Sequence, residues 1–427
     1  MSMFKILGVI VTIIATSFYF FPFSFPFFQI ANTKMILAVF ALPIIMVKVA
    51  KDRKGSINKD FFVISLFACG VSLASLISMT LNDTPDAVYL TYIISMWVWL
   101  GGAYTVVSLM KAVHGKVSVE IVCHYLTAVC VMQCILAILI DNYPLVRILV
   151  DSIFSGAQFY FEKERLYGIG CALDVAGGRF AAVLIMIAFL LLNISKQKKD
   201  NLKLVLLLVS FVIIAVIGNM IGRTTTVGLI LSIFIIVMGL YINQGVQLTK
   251  LRNWILGFVL VAIGIFVYLY NTSEYWHDYL EFGFEGFFSL VETGRWEVHS
   301  NEMLQEGFIF PDNIRGWLIG DGYFGDTNIV DPYYIGPTWY GFYKGTDAGY
   351  SRFLFYFGLI GLIAFSAFFV KVCQVCMRTL PKYKYMFLAI LCLNFLIWIK
   401  VSTDIFIVFA PFLCLLSENR MGSEQEC

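Results

Sequence analysis

Charge is scarce in this chain. Only 14% of its 427 residues are Asp, Glu, Lys or Arg, where soluble domains carry about 25%. That is too little polar surface to cover a water-soluble fold of this size. No glycine motif sits in a strand–turn–helix context. GIG at 168–170 and GDGYFG at 320–325 are short clusters, and as phosphate cradles they are weak signals. Nothing therefore points to a cytoplasmic ATPase or nucleotide-sugar domain, so energy must come from the substrate itself or from a gradient. No internal repeat or low-complexity segment is present. The ten cysteines do not form a metal-site pattern, because the Cys373–Cys376 pair has no second pair. Most lie in apolar runs, as do Cys69, Cys123, Cys130, Cys134 and Cys392, and read as small buried hydrophobes.

Hydrophobic residues make up 60% of the chain, which points to a polytopic membrane protein. A helix needs about 20 apolar residues to cross the hydrocarbon core. Twelve spans are predicted, near residues 4–22, 30–50, 61–81, 88–110, 118–140, 177–194, 202–221, 224–243, 253–271, 350–371, 384–399 and 402–417. The last two are split only by residues 400–404, so one kinked span or a re-entrant pair is the rival reading there. The first follows Lys5 and mimics a signal peptide. No small-residue cleavage pattern precedes Pro22, so it reads as an uncleaved span. The fold class expected is all-α, with about 12 transmembrane helices and one large external loop. The expected divisions are a membrane domain over 1–272, the loop over 273–349, and a second membrane domain over 350–427.

Basic residues gather in alternate connections. Lys48, Lys51, Arg53, Lys54 and Lys59 form one group, and Lys111 with Lys116 a second. Lys196, Lys198, Lys199 and Lys203 follow, then Lys250 with Arg252, then Lys371, Arg378, Lys382 and Lys384. By the positive-inside rule these connections face the cytoplasm. Both termini are then cytoplasmic, and residues 141–176 and 273–349 face outside. Within 144–162, Leu145, Ile148, Leu149, Ile153 and Phe154 have helical apolar spacing suited to the membrane interface.

Residues 271–351 form the one long polar stretch, with thirteen carboxylates and two of the four histidines, His277 and His299. Five arginines separated in sequence map to the same outer face: Arg165, Arg179, Arg223, Arg295 and Arg352. Arg223 stands between two apolar runs, with the hydroxyls of Thr224, Thr225 and Thr226 as further donors. A snorkelling interface arginine is the plain alternative. Asp174 is a ready structural partner for Arg179. On a helix, Glu292, Arg295, His299 and Glu302 would share one face, which also suits an ordinary solvated loop helix. Asp347 and Arg352 sit at the mouth of the tenth span. A cluster of guanidiniums at one depth suits a pyrophosphate at the bilayer surface, since their planar forks match phosphate oxygens. The aromatics Trp317, Tyr323, Tyr333, Tyr334, Trp339, Tyr340, Phe342 and Tyr343 suit sugar stacking or interface anchoring equally.

Four pieces carry a family resemblance. They are RLYGIG with Asp174 at 165–174, GRT at 222–224, GRW at 294–296 followed by IGDGYFG at 319–325, and DAGYSRFLFYFGLIGLIAF at 347–365. In their order and spacing the chain resembles the O-antigen polymerase and O-antigen ligase group (Wzy/WaaL-like) of bacterial surface-polysaccharide assembly. The resemblance spans roughly residues 160–370. It implies a GT-C-like glycosyltransferase in the bacterial inner membrane with its large loop in the periplasm. It implies transfer of a glycan from undecaprenyl pyrophosphate to a sugar hydroxyl of another lipid-linked repeat unit, inverting, with no metal and no cofactor. Arg223 and Arg295 would hold the pyrophosphate, supported by Arg165, Arg179 and Arg352. Catalysis would fall to Arg295 with Asp347 or His299 as base. Asp347 stands where the ligase branch has a histidine, which favours the polymerase. The partners implied are undecaprenyl-pyrophosphate-linked oligosaccharides, the bilayer, and a chain-length regulator and flippase of the same pathway, with no nucleic acid. A ligase acting on lipid A core and a flippase or exporter are the alternatives.

Overall fold

The computed structural model describes residues 3–51, 59–154, 165–194, 201–242, 246–295, 297–298, 307–338 and 341–415. Glu164, Trp296, His299, Glu302, Trp339 and Tyr340 lie outside the described residues, as do Arg53, Lys54 and the lysines at 196–199. The chain begins with α1 (Met3–Phe20), a small hairpin of β1 (Ser24–Phe25) and β2 (Phe28–Asn32), and α2 (Thr33–Lys51). Next come α3 (Lys59–Asn82), α4 (Tyr92–His114), α5 (Val119–Asn142), α6 (Pro144–Ile153), α7 (Leu173–Ile194), α8 (Asn201–Ile221), α9 (Thr225–Ile242) and α10 (Val246–Thr272). The polar stretch contributes α11 (Glu274–Gly283), α12 (Glu285–Thr293), α13 (Ile314–Ile319) and α14 (Thr327–Val330). The chain closes with α15 (Gly349–Thr379), α16 (Lys384–Lys400) and α17 (Phe406–Cys414).

Helix dominates because a lipid environment offers backbone groups no water, so each segment must satisfy its own N–H and C=O groups. The protein is an all-α polytopic membrane protein. Ten helices among the described residues are long and apolar enough to cross a bilayer. Twelve were expected. The helix over the second predicted span, α2, is 19 residues long and contains Pro43, with Thr33–Val47 as its apolar described stretch. The last, α17, has nine residues, about 14 Å of rise against a core of about 30 Å. It follows an extended break at 401–405 after α16, so the C-terminal pair is a span and a short buried helix rather than two spans.

The chain forms two compact units. The first takes Met1–Leu37 and Val106–Glu297, the second Ala38–Thr105 and Val298–Cys427. The polar stretch is thereby shared, with α11 and α12 in the first unit and α13 and α14 in the second.

In the first unit α7 is central, with 83% of its apolar window buried. A helix apolar all round needs such a place. Its small residues let α9 approach closely. A methyl added at Gly228 would overlap the Ala181 backbone, and one at Gly177 would lie 2.9 Å from the Gly222 carbonyl. The amphipathic α6 turns Val150, with the following Phe154, onto a cluster holding Phe23, Ile140 and Tyr167, and exposes Leu145, Ile148 and Leu149. The predicted interfacial helix thus covers 144–153, and residues 155–164 lie outside the described ones.

In the second unit α15 kinks at Gly358, whose φ is +65°. A side chain there would run into the backbone at Leu318 and Ile319. Phe353, Phe357 and Phe365 pack edge-on around Tyr89, and Trp398 packs edge-on to Phe353 and stacks on Phe365. Tyr356 anchors α15 to α3, its hydroxyl 2.7 Å from Ser75 Oγ while its carbonyl accepts from Ser78 Oγ at 2.7 Å.

Two glycines test this packing. Gly228→Leu should destabilise the protein by about 1–3 kcal/mol or more through overpacking. Gly257→Ala, where nothing lies within 4 Å, should leave the thermal midpoint in detergent almost unchanged.

Candidate functional site

The first unit builds a cationic pair at the ends of its helices. Arg165 lies in the tight turn that precedes α7, where Gly168 and Cys171 form an isolated antiparallel bridge. The turn is held by Gln133, a buried amide on α5. Gln133 accepts from Ile169 N at 2.9 Å and donates to Ile169 O at 3.0 Å and to Ser17 Oγ at 3.0 Å. Gly170, at φ +66°, lies against the Phe21 and Pro22 carbonyls with no room for a side chain. Arg223 lies between α8 and α9. Gly222 fits there because its Cα faces the Leu173 carbonyl, where any Cβ would clash.

The two arginines meet on one ring. The Arg165 guanidinium carbon is 4.2 Å from the Phe282 centroid and that of Arg223 is 4.5 Å away. Such cation–π contacts are worth about 0.5–2 kcal/mol each. Arg223 also forms a close ion pair with Glu285 at the start of α12. Arg165 is half-buried, and its guanidinium has no hydrogen-bond or ion-pair partner among the described residues. Burial first, and then the neighbouring Arg223 charge, lower its pKa, while Asp174 and Glu285 oppose that shift. A lowered arginine still stays protonated at neutral pH.

The threonines after Arg223 are not available to a ligand as expected. Thr224 donates to Asp174, Thr225 bonds the Gly218 and Gly222 carbonyls at 3.0 and 2.8 Å, and Thr226 donates to Asn219 Oδ1 at 2.6 Å. A hydroxyl has one proton to give, so Thr225 and Thr226 are committed to holding the α8–α9 turn and Thr224 to tying it to α7. Arg179 lies further along α7. It is 7% exposed, with its guanidinium 5.5 Å from the Phe21 ring, and it does not share the Phe282 ring.

Arg295 departs from the predicted helix face. α12 ends at Thr293 because Gly294 adopts a left-handed conformation at φ +73°, so Glu292 and Arg295 do not continue one helix. Arg295 is exposed, and its backbone bonds Thr293.

In the second unit Arg352 is 9% exposed. Its guanidinium lies 3.7 Å from the Phe324 ring centroid and 3.9 Å from that of Phe342. It donates to Ser402 Oγ at 2.7 Å and Phe324 O at 3.1 Å. It therefore ties the loop to the break after α16. Asp347 is exposed just before α15. No protein-family model, curated protein or solved structure matches the chain.

The glycines of the 320–325 cluster serve backbone crossing. Gly320 and Gly322 both have positive φ. Gly320 lies against the backbone at Phe355–Phe357, and Gly322 against Thr84. Asp86, 2% exposed, fastens this turn by accepting from Phe324 N at 2.7 Å and Gly325 N at 3.1 Å. Next to it, Tyr323 and Tyr343 stack at 5.5 Å, with Tyr334 edge-on to Tyr323. Tyr343 donates to Asp321 at 3.2 Å and Tyr323 to Asp331 at 3.3 Å.

Sequence reasoning missed Gln133, Asp86, Phe282 and Glu285. The first two are single polar residues in or beside apolar helices. A buried amide in a membrane helix is a usable signal, because it must find a partner. Phe282 and Glu285 belong to a run of aromatics and acids in which nothing ranks one above another.

Asp321 gives a pH prediction. Burial raises its pKa, partly offset by the Tyr343 hydrogen bond. A raised carboxyl pKa makes ionisation costly above that pKa and relieves the cost as pH falls through it. Asp321→Asn should therefore raise the thermal midpoint relative to wild type near pH 7.5, and the gap should narrow as pH falls and close only below the ordinary carboxyl value of 3.8.

Proposed function

We propose that this chain is a membrane glycosyltransferase of the O-antigen polymerase type. It transfers a glycan from a polyprenyl pyrophosphate to a sugar hydroxyl of a second lipid-linked repeat unit at the periplasmic face of the bacterial inner membrane. The observation that carries the reading is the convergence of Arg165 and Arg223 on Phe282, with the Arg165 guanidinium free of polar partners among the described residues. The two neighbouring cations repel each other, Asp174 and Glu285 offset part of that repulsion, and a pyrophosphate carries enough negative charge to bridge both guanidiniums.

The chemistry follows from the leaving group. As the bond from the anomeric carbon to the phosphate oxygen breaks, negative charge grows on the departing pyrophosphate. Each close guanidinium contact supplies about 4 kcal/mol of gross attraction at an effective dielectric near 20. Glu285 holds Arg223 in place before substrate arrives, so little reorganisation is needed during reaction. The acceptor hydroxyl attacks the opposite face of the anomeric carbon and gives its proton to a base. Asp347 and His299 are the proposed bases and Arg295 the supporting cation, while Arg179 and Arg352, buried against aromatic rings, hold elements in place.

Substitutions test the roles in a strain carrying the rest of the pathway, with membrane insertion checked by blotting. Arg165→Ala and Arg223→Ala should each cut polymer formation about 100-fold, the scale for removing one charge-stabilising donor. Normal ladders of glycan length in both variants would sink the pyrophosphate role. Arg295→Ala should also shorten the ladder.

Asp347→Asn and His299→Ala separate the bases, since only loss of the true base should abolish long chains. Deleting the gene should leave single repeat units on the core. Absence of any attached glycan would instead indicate the ligase or flippase reading.

A further inference from the structure

A second binding site lies in the first unit, at the end of α9 remote from Arg223. Although α10 has a span-length apolar window, Arg252–Thr272, none of that window is buried inside the protein. Between α10 and the pair α8 and α9 lies a cavity of about 880 Å³. Its walls are apolar, with Leu208, Phe211, Ile233, Val237, Leu256 and Val259 among them. Arg252 is its one charged lining residue, and Tyr241 adds a hydroxyl at the same end. The Arg252 guanidinium has no polar partner among the described residues.

We infer that this cavity binds an anionic phospholipid, with an acyl chain between α10 and the α8–α9 pair and the headgroup phosphate on Arg252. Three observations support that occupant. An apolar gap within a bilayer is filled by chains, because its lining otherwise forfeits dispersion contacts. The lining runs along α9 from Leu229 to Tyr241, about 18 Å of helix, which matches the depth of one leaflet in a core of about 30 Å. The one cation stands at the end where a lipid of that leaflet carries its phosphate, and a guanidinium pairs with phosphate in a fork. The site is independent of the glycosyltransferase reading, because Arg165 and Arg223 stand at the other end of α9 and do not line it.

The test uses the full chain in nanodiscs doped with a photoactivatable phosphatidylglycerol, compared with the phosphatidylcholine of identical acyl chains. Crosslinked peptides are mapped by mass spectrometry. Phosphatidylglycerol should label α8, α9 and α10 about fivefold over phosphatidylcholine, the ratio for roughly 1 kcal/mol per surface cation. Arg252→Gln should remove that preference and Arg252→Lys should retain most of it. Ile233→Trp, which fills the cavity and keeps Arg252, should reduce labelling by both lipids. Equal labelling of wild type by the two lipids would overturn the site. So would a preference that survives Arg252→Gln, or crosslinks joining α10 of one copy to α10 of another in place of lipid labels.

Discussion

Several departures from helix among the described residues are answered by a buried polar side chain, and the candidate site stands beside them. Where a membrane helix stops, its carbonyls and amides lose their partners, and lipid provides none. Gln133 supplies them for the turn before α7, Asp86 for the turn at 324–325, and Thr33 for the hairpin, whose Oγ1 bonds Phe23 N at 3.2 Å and Phe18 O at 2.8 Å. Asn394 accepts from Ile405 N at the break before α17. The turns so held are where Arg165 stands and where Arg352 finds its acceptors. The positions of these two arginines therefore depend on the polar side chains beneath them.

Electrostatics then sorts the arginines that look alike in sequence. Arg352 and Arg179 are buried, the first between two phenylalanine rings, which suits them to holding elements in place. Arg295 is exposed. Arg165 and Arg223 are the two that stack on one ring, and Glu285 holds only Arg223 among their ion pairs described. An acid beside one of two cations fixes its direction without neutralising the other.

The broad class was legible because hydropathy and length decide it. Ten of the twelve predicted spans coincide with span-length helices. The span at 402–417 was misjudged because apolar composition does not reveal the extended break at 401–405, while the predicted span 30–50 is covered by the 19-residue α2. Arg165 and Arg223 could be singled out as charges beside apolar runs, but their meeting on Phe282 could not. It depends on a contact across more than a hundred residues between Arg165 and Phe282. The predicted face through Glu292 and Arg295 failed at one residue, because spacing alone cannot show that Gly294 turns left-handed. The threonines after Arg223 were read as donors to a ligand because sequence does not show the carbonyl, carboxylate and amide oxygens that take their protons.

The contact between Gly177 and Gly222 couples two properties usually engineered separately. Arg223 follows directly on Gly222, so the spacing of α7 and the α8–α9 turn also sets the reach of its guanidinium. A side chain placed in that glycine contact would overlap the backbone of Leu173 or Gly222, directly beside Arg223. Substitutions meant to stabilise the chain without disturbing Arg223 should instead come from exposed positions such as Gly257 and Gly264, where an added methyl meets no neighbour.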